Sequence, residues 1–113
     1  MFGFFILSKI LDFLTLTMQI SYVYILKCSD DTYYTGVTSN LNKRLFEHKS
    51  GAHNDSYTYK RRPIELKFYA EFTDINLAIE SEKQIKKWSR AKKDALINNE
   101  FEKLPNLAKK NFK

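Results

Sequence analysis

The 113-residue chain is long enough for one domain with a modest core and too short for two of ordinary size. Nineteen Lys and Arg against thirteen Asp and Glu give a formal charge of +6, which favours polyanionic partners. The single cysteine, Cys28, excludes an intramolecular disulfide, and with two histidines there is no CxxC or Cys/His zinc spacing, so a reducing, cytoplasmic setting fits best.

Residues 1–17 are very apolar, but Lys9 and Asp12 interrupt them, and a membrane span needs about 18 uninterrupted apolar residues. A secretory signal needs a basic start and a small-residue cleavage site; here Lys9 lies inside the apolar stretch, and Leu16, Thr17 and Met18 end it. The segment is expected to be an amphipathic helix docking on the domain or on a membrane surface, or an extension ahead of a start at Met18. Ser21 to Lys27 is β-branched and aromatic on both faces, as an interior strand would be. Ser29, Asp30 and Asp31 are turn residues, and Thr32 to Thr38 reads as a second strand. A three-residue loop puts Leu26 opposite Tyr34 and Tyr24 opposite Gly36, which makes Tyr24 and Tyr34 diagonal neighbours on one face.

Ser39 and Asn40 can cap a helix running to about Lys49, ended by Ser50 and Gly51, with Arg44 and His48 on one face. A polar loop follows, then a third strand from about Glu65 to Phe72. Thr73 or Asp74 caps the next helix, Ile75 to Trp88, whose apolar stripe of Ile75, Leu77, Ala78, Ser81, Ile85 and Trp88 contains Glu82. A carboxylate facing a core is costly to desolvate unless it is paired or binds a metal. Ser89 caps a short helix through Ile97, and a basic tail follows. The predicted order is β-β-α-β-α-α, a small α/β (α+β) domain with a three-stranded sheet flanked by helices. It spans residues 18–98, with 1–17 and 99–113 as extensions.

Taken singly, each tyrosine reads as a packed strand residue, Arg44 with His48 as a solvated helix face, and Glu82 as half of an ion pair. Their order is more specific. Tyr22-Val23-Tyr24 and Tyr34-Thr35-Gly36 lie on a hairpin, Arg44 precedes His48 by four, and Glu82 follows Ala78 and precedes Ile85 and Lys86. This arrangement resembles the GIY-YIG nuclease family, above all its small stand-alone members, over about Ser21 to Ile97. The shared chemistry there is metal-assisted phosphodiester hydrolysis. The resemblance implies that Glu82 holds one divalent cation, Mg²⁺ or Mn²⁺, whose water-retaining coordination needs few protein ligands. It implies that Arg44 grips the scissile phosphate as a planar, permanently charged fork. Of Tyr24 and Tyr34, one helps to deprotonate the attacking water and the other orients water or phosphate; the resemblance does not assign them. A tyrosine with an ordinary pKa of about 10 needs a nearby cation to serve as a base. His48 would hydrogen-bond the phosphate or a tyrosine hydroxyl, and Gly36 would let backbone approach the site. Three positions depart from the family pattern: Tyr22 replaces the first glycine, Val37 a lysine of some members, and Asp94 an asparagine.

A basic, aromatic loop carries Tyr57, Tyr59, Lys60, Arg61 and Arg62, and the flanking helices add Lys43, Lys49, Lys86, Lys87 and Arg90. Lysine suits phosphates, arginine suits phosphates or stacking, and tyrosine suits unpaired bases. His53 reads as a loop residue. The activity the resemblance implies is a DNA endonuclease acting in repair or recombination, with RNA as a second substrate class; no residues read as a sequence-reading module, so low sequence specificity is expected, with targeting left to a partner protein. The alternative is a non-catalytic DNA- or RNA-binding module on the same fold.

Overall fold

The computed structural model describes residues 9–10 and 19–105. The expectations for the rest of residues 1–18, and for the tail beyond Pro105, lie outside those residues. Ser21–Lys27 (β1) takes the centre of a three-stranded antiparallel sheet, between Tyr33–Thr38 (β2) and Glu65–Phe72 (β3). Among residues 19–105, the helices Leu41–Ser50 (α1), Ile75–Lys87 (α2) and Arg90–Ile97 (α3) pack on this sheet. The element order is the one expected.

The hairpin closes as a three-residue turn requires. The Cys28 amide donates to the Thr32 carbonyl at 2.8 Å, and Asp30 accepts from both the Thr32 amide and its hydroxyl. Thr32 is thereby absorbed into the turn, and β2 starts one residue later than predicted. Tyr24 pairs with Gly36 and Leu26 with Tyr34. On the other side of β1 the pairing shifts between Ile25 and Leu26, a bulge of the kind that re-aims side chains.

Alternation along β1 builds two cores. Val23 and Ile25 pack with Ala78 and Ile85 of α2 and Leu96 of α3; Tyr24, Leu26 and Cys28 pack with Ile64 and with Leu41 and Leu45 of α1. Val23, Ile25 and Leu26 are fully buried, each contributing about 1.5–3 kcal/mol. α1 therefore lies on one face of the sheet, and α2 and α3 on the other. Residues from opposite faces can meet only around an edge strand, and β2 is such an edge.

The helices are capped by the residues read from sequence: Asn40 accepts from the Lys43 amide, Asp74 from Asn76 and Ser89 from Lys92. Gly51, at φ 72°, ends α1 in the left-handed conformation that favours glycine. One correction concerns α2. Ile75 and Leu77 are half-exposed, and burial begins a turn later, along Ala78, Glu82 and Ile85. The polar loop also contains a 3₁₀ turn, Tyr59–Arg61. Among the described residues no helix is long and apolar enough to cross a membrane.

Candidate active site

Tyr24 is 1% exposed, and its ring lies across Gly36 on the neighbouring strand. A Cβ at position 36 would sit 2.5 Å from both Cζ and Oη of that ring; glycine leaves the space through which the hydroxyl extends over the edge strand. There the hydroxyl lies 2.9 Å from Nε2 of His48. His48 is itself buried at the end of α1, and its Nδ1 lies 2.9 Å from Oγ1 of Thr58. Tyr34 packs beside both rings, with centroids 6.3 Å from Tyr24 and 5.3 Å from His48. Arg44, one turn before His48, is half-exposed and makes a 3.8 Å contact with Glu47.

The electrostatics follow from this packing. Burial pushes the Tyr24 phenol well above the ordinary tyrosine range; Tyr34 and Glu82 push the same way, and Arg44 only partly offsets them. Tyr24 is thus a neutral phenol: Arg44 is the nearby cation, and its lowering effect is outweighed by desolvation. Burial, reinforced by Arg44, holds the His48 pKa below its usual value, so its imidazole is neutral at neutral pH.

Glu82 reaches the same place from the opposite face of the sheet, close enough to Tyr24 to oppose its ionisation. The residue is 7% exposed, and its carboxylate pairs with the Lys86 ammonium one turn on. The ion pair considered from sequence is therefore present, and its lysine is largely exposed on a flexible stem. Among the described residues no three His, Cys, Asp or Glu side chains cluster to hold a metal. A lone buried carboxylate fits a hard cation that keeps most of its waters, such as Mg²⁺, and does not fit zinc. Tyr33, Tyr34, Thr35, Tyr57, Lys86 and Lys93 line a depression of about 370 Å³ beside it. The Thr35 hydroxyl is buried and has no hydrogen-bond partner among the described residues.

The basic residues divide into two groups. Arg61 lies over the Tyr57 ring, donates to the Tyr57 carbonyl and pairs with Asp30; Arg62 lies over Tyr59 and donates to its carbonyl. Arg90 lies over Tyr33 and pairs with Asp31 and Asp94. These three arginines brace the loop and the hairpin. Lys43, Lys49 and Lys60 are exposed. Tyr57 stacks on Tyr34, with centroids 6.1 Å apart, and so brings the loop to the site. His53 pairs with Glu47. Asp94 accepts from the Tyr33 hydroxyl, which ties α3 to the hairpin. Sequence reasoning missed Thr58, 1% exposed in a polar loop where no local pattern marks it.

Comparison with known proteins gives this geometry a family. The family model described as the GIY-YIG catalytic domain matches residues 20–95. A UPF0213 protein of Syntrophus aciditrophicus is 46% identical over 87 residues, covering 77% of this chain and all of the relative. Another, from Natronomonas pharaonis, is 43% identical over 79 residues, covering 70% and 92%. The solution NMR structure of UPF0213 protein BH0048 from Bacillus halodurans is 37% identical, with a TM-score of 0.47, covering 70% of this chain and 83% of that one. With its hairpin tyrosines, the Arg44 and His48 helix face and buried Glu82 on one sheet edge, the chain belongs to the GIY-YIG family.

Proposed function

We propose that this protein is a metal-dependent endonuclease that hydrolyses phosphodiester bonds, with DNA as its main substrate. One observation carries the reading: at one sheet edge Tyr24, Tyr34 and His48 pack ring beside ring, Arg44 stands one turn from His48, and buried Glu82 from α2 lies close enough to oppose ionisation of Tyr24. Packing alone gives no reason to gather a phenol pair, a half-exposed guanidinium and a buried carboxylate around one sheet edge.

In the proposed reaction Arg44 grips the scissile phosphate and neutralises the charge that grows in the transition state. Glu82 would hold the divalent cation, Mg²⁺ or Mn²⁺, with Lys86 swinging aside. When bound, that cation supplies Lewis-acid charge at the phosphoryl oxygens. Of Tyr24 and Tyr34, one helps to deprotonate the attacking water and the other orients water or phosphate. Lys43, Lys49 and Lys60 attract the backbone electrostatically without reading bases, which favours low sequence specificity and a role in repair or recombination in the cytoplasm, with a partner protein for targeting.

The test is cleavage of labelled duplex, single-stranded and branched DNA, and of RNA, with Mg²⁺, Mn²⁺ or EDTA. Cleavage should need the metal and fall at least about 100-fold in Glu82→Ala and in Arg44→Ala. Salt-sensitive binding without cleavage in any metal would replace this reading with a non-catalytic nucleic-acid-binding module.

A further inference from the structure

Three buried groups form a hydrogen-bonded line behind the proposed site: Thr58 Oγ1, 2.9 Å from His48 Nδ1, and His48 Nε2, 2.9 Å from the Tyr24 hydroxyl. Both ring nitrogens of His48 therefore have partners inside the fold. Across the contact between His48 and Tyr24, the phenol O–H is a stronger acid than an imidazole N–H, and the imidazole nitrogen is the better acceptor. That ordering favours the phenol as donor to Nε2, with Tyr34 as the second hydrogen-bond neighbour of the Tyr24 hydroxyl. A neutral imidazole that accepts at Nε2 carries its hydrogen on Nδ1, and Thr58 Oγ1 is there to receive it. The hydrogen of Thr58 can then turn to Ser56 Oγ, 3.4 Å away.

We propose that Thr58 is a positioning residue that holds His48 in the Nδ1–H tautomer, so that Nε2 draws off the proton of Tyr24 and Tyr24 is the tyrosine that deprotonates the attacking water. The proton path rests on the nuclease reading above; the tautomer does not. Tyr34 meets His48 ring to ring, and among the described residues it is Tyr24 whose hydroxyl reaches Nε2. The groups facing the imidazole are Tyr24 from β1, Tyr34 from β2, Arg44 and Glu47 from α1, and His53 and Thr58 from the loop. Its neutrality at neutral pH leaves the Nε2 lone pair available.

The step balances without an oxidant or reductant. Water passes a proton to the Tyr24 oxygen as Tyr24 passes its own to Nε2, and the water oxygen bonds to phosphorus. The bond from phosphorus to the leaving sugar oxygen breaks with its electron pair, and that oxygen takes a proton from solvent. The imidazolium then returns its proton through Tyr24 to solvent.

The experiment combines side-chain ¹⁵N NMR of the histidines in the full chain, with His53→Gln to assign the two signals, and cleavage kinetics of Thr58→Val and Thr58→Ser. The wild type should carry its proton on Nδ1. Thr58→Val should move proton population to Nε2, lower kcat about 10- to 100-fold at unchanged KM, and displace the acid limb of the pH profile. Thr58→Ser should restore all three. A wild-type proton on Nε2, or a Thr58→Val protein with unchanged tautomer and kcat, overturns the proposal and leaves the nuclease reading standing. A wild type that cleaves nothing in any metal overturns the proton path together with that reading, and the tautomer spectra still decide the role of Thr58.

Discussion

At the scale of single residues, the position of the Tyr24 hydroxyl depends on an atom its neighbour lacks. The ring occupies the space where a side chain at position 36 would begin, 2.5 Å from Cζ and Oη, and both partners sit in strands that cannot easily shift. Gly36→Ala should therefore push the ring off His48. We expect a loss of about 1–3 kcal/mol from overpacking and a larger proportional loss of cleavage, checked by urea unfolding and kcat on the same protein. A stability loss in that range with full cleavage would show that the hydroxyl does not need its present place. This arrangement was half legible in the sequence. The register that sets Tyr24 against Gly36 follows from the three-residue turn, whereas the ring's path over the edge strand depends on packing by α1 and the loop, which no local pattern encodes.

At the scale of elements, α1 is the part that carries function and structure together. Its N-cap, Asn40, accepts from the Lys43 amide at 3.1 Å, and its last turn carries His48 into the core. Asn40→Ala should cost about 1 kcal/mol, seen as a lower urea midpoint at unchanged slope. Caps, turns and strand alternation were legible because each depends on residues close in sequence. The interior of α2 was legible in part. Glu82, Ala78 and Ile85 are buried as the 3.6-residue period implies, but Ile75 and Leu77 are not, because periodicity gives a direction and says nothing of where the opposing surface starts. Thr58 was illegible for a related reason. Its role comes from His48, ten residues away, across a loop held by Arg61 and Arg62 on the rings of Tyr57 and Tyr59. From sequence those arginines suit phosphates or stacking, and their stacking on rings of the loop itself is visible only in three dimensions.

At the scale of the whole molecule, buried His48 links stability to pH. Its folded pKa is depressed, so below about 6.5 the unfolded chain binds a proton that the folded chain resists. Stability is full above that value and falls as pH drops through it toward the lower folded pKa. The melting temperature should follow this course in the wild type and flatten in His48→Gln over the same window. The carboxylates of Asp30, Asp31 and Glu47, held low by hydrogen bonds from Thr32, Lys27 and His53 respectively, add acid sensitivity at lower pH. The ion pair between Glu82 and Lys86 has a different consequence at this scale. The buried carboxylate receives its counter-charge from the next turn of its own helix, so the fold does not wait for a divalent ion to neutralise it. The melting temperature should be the same in EDTA as in metal-free buffer, and added Mg²⁺ should raise it only by mass action. The chain would then leave the ribosome able to fold fully in a cell starved of magnesium, with assembly and activation governed by separate supplies.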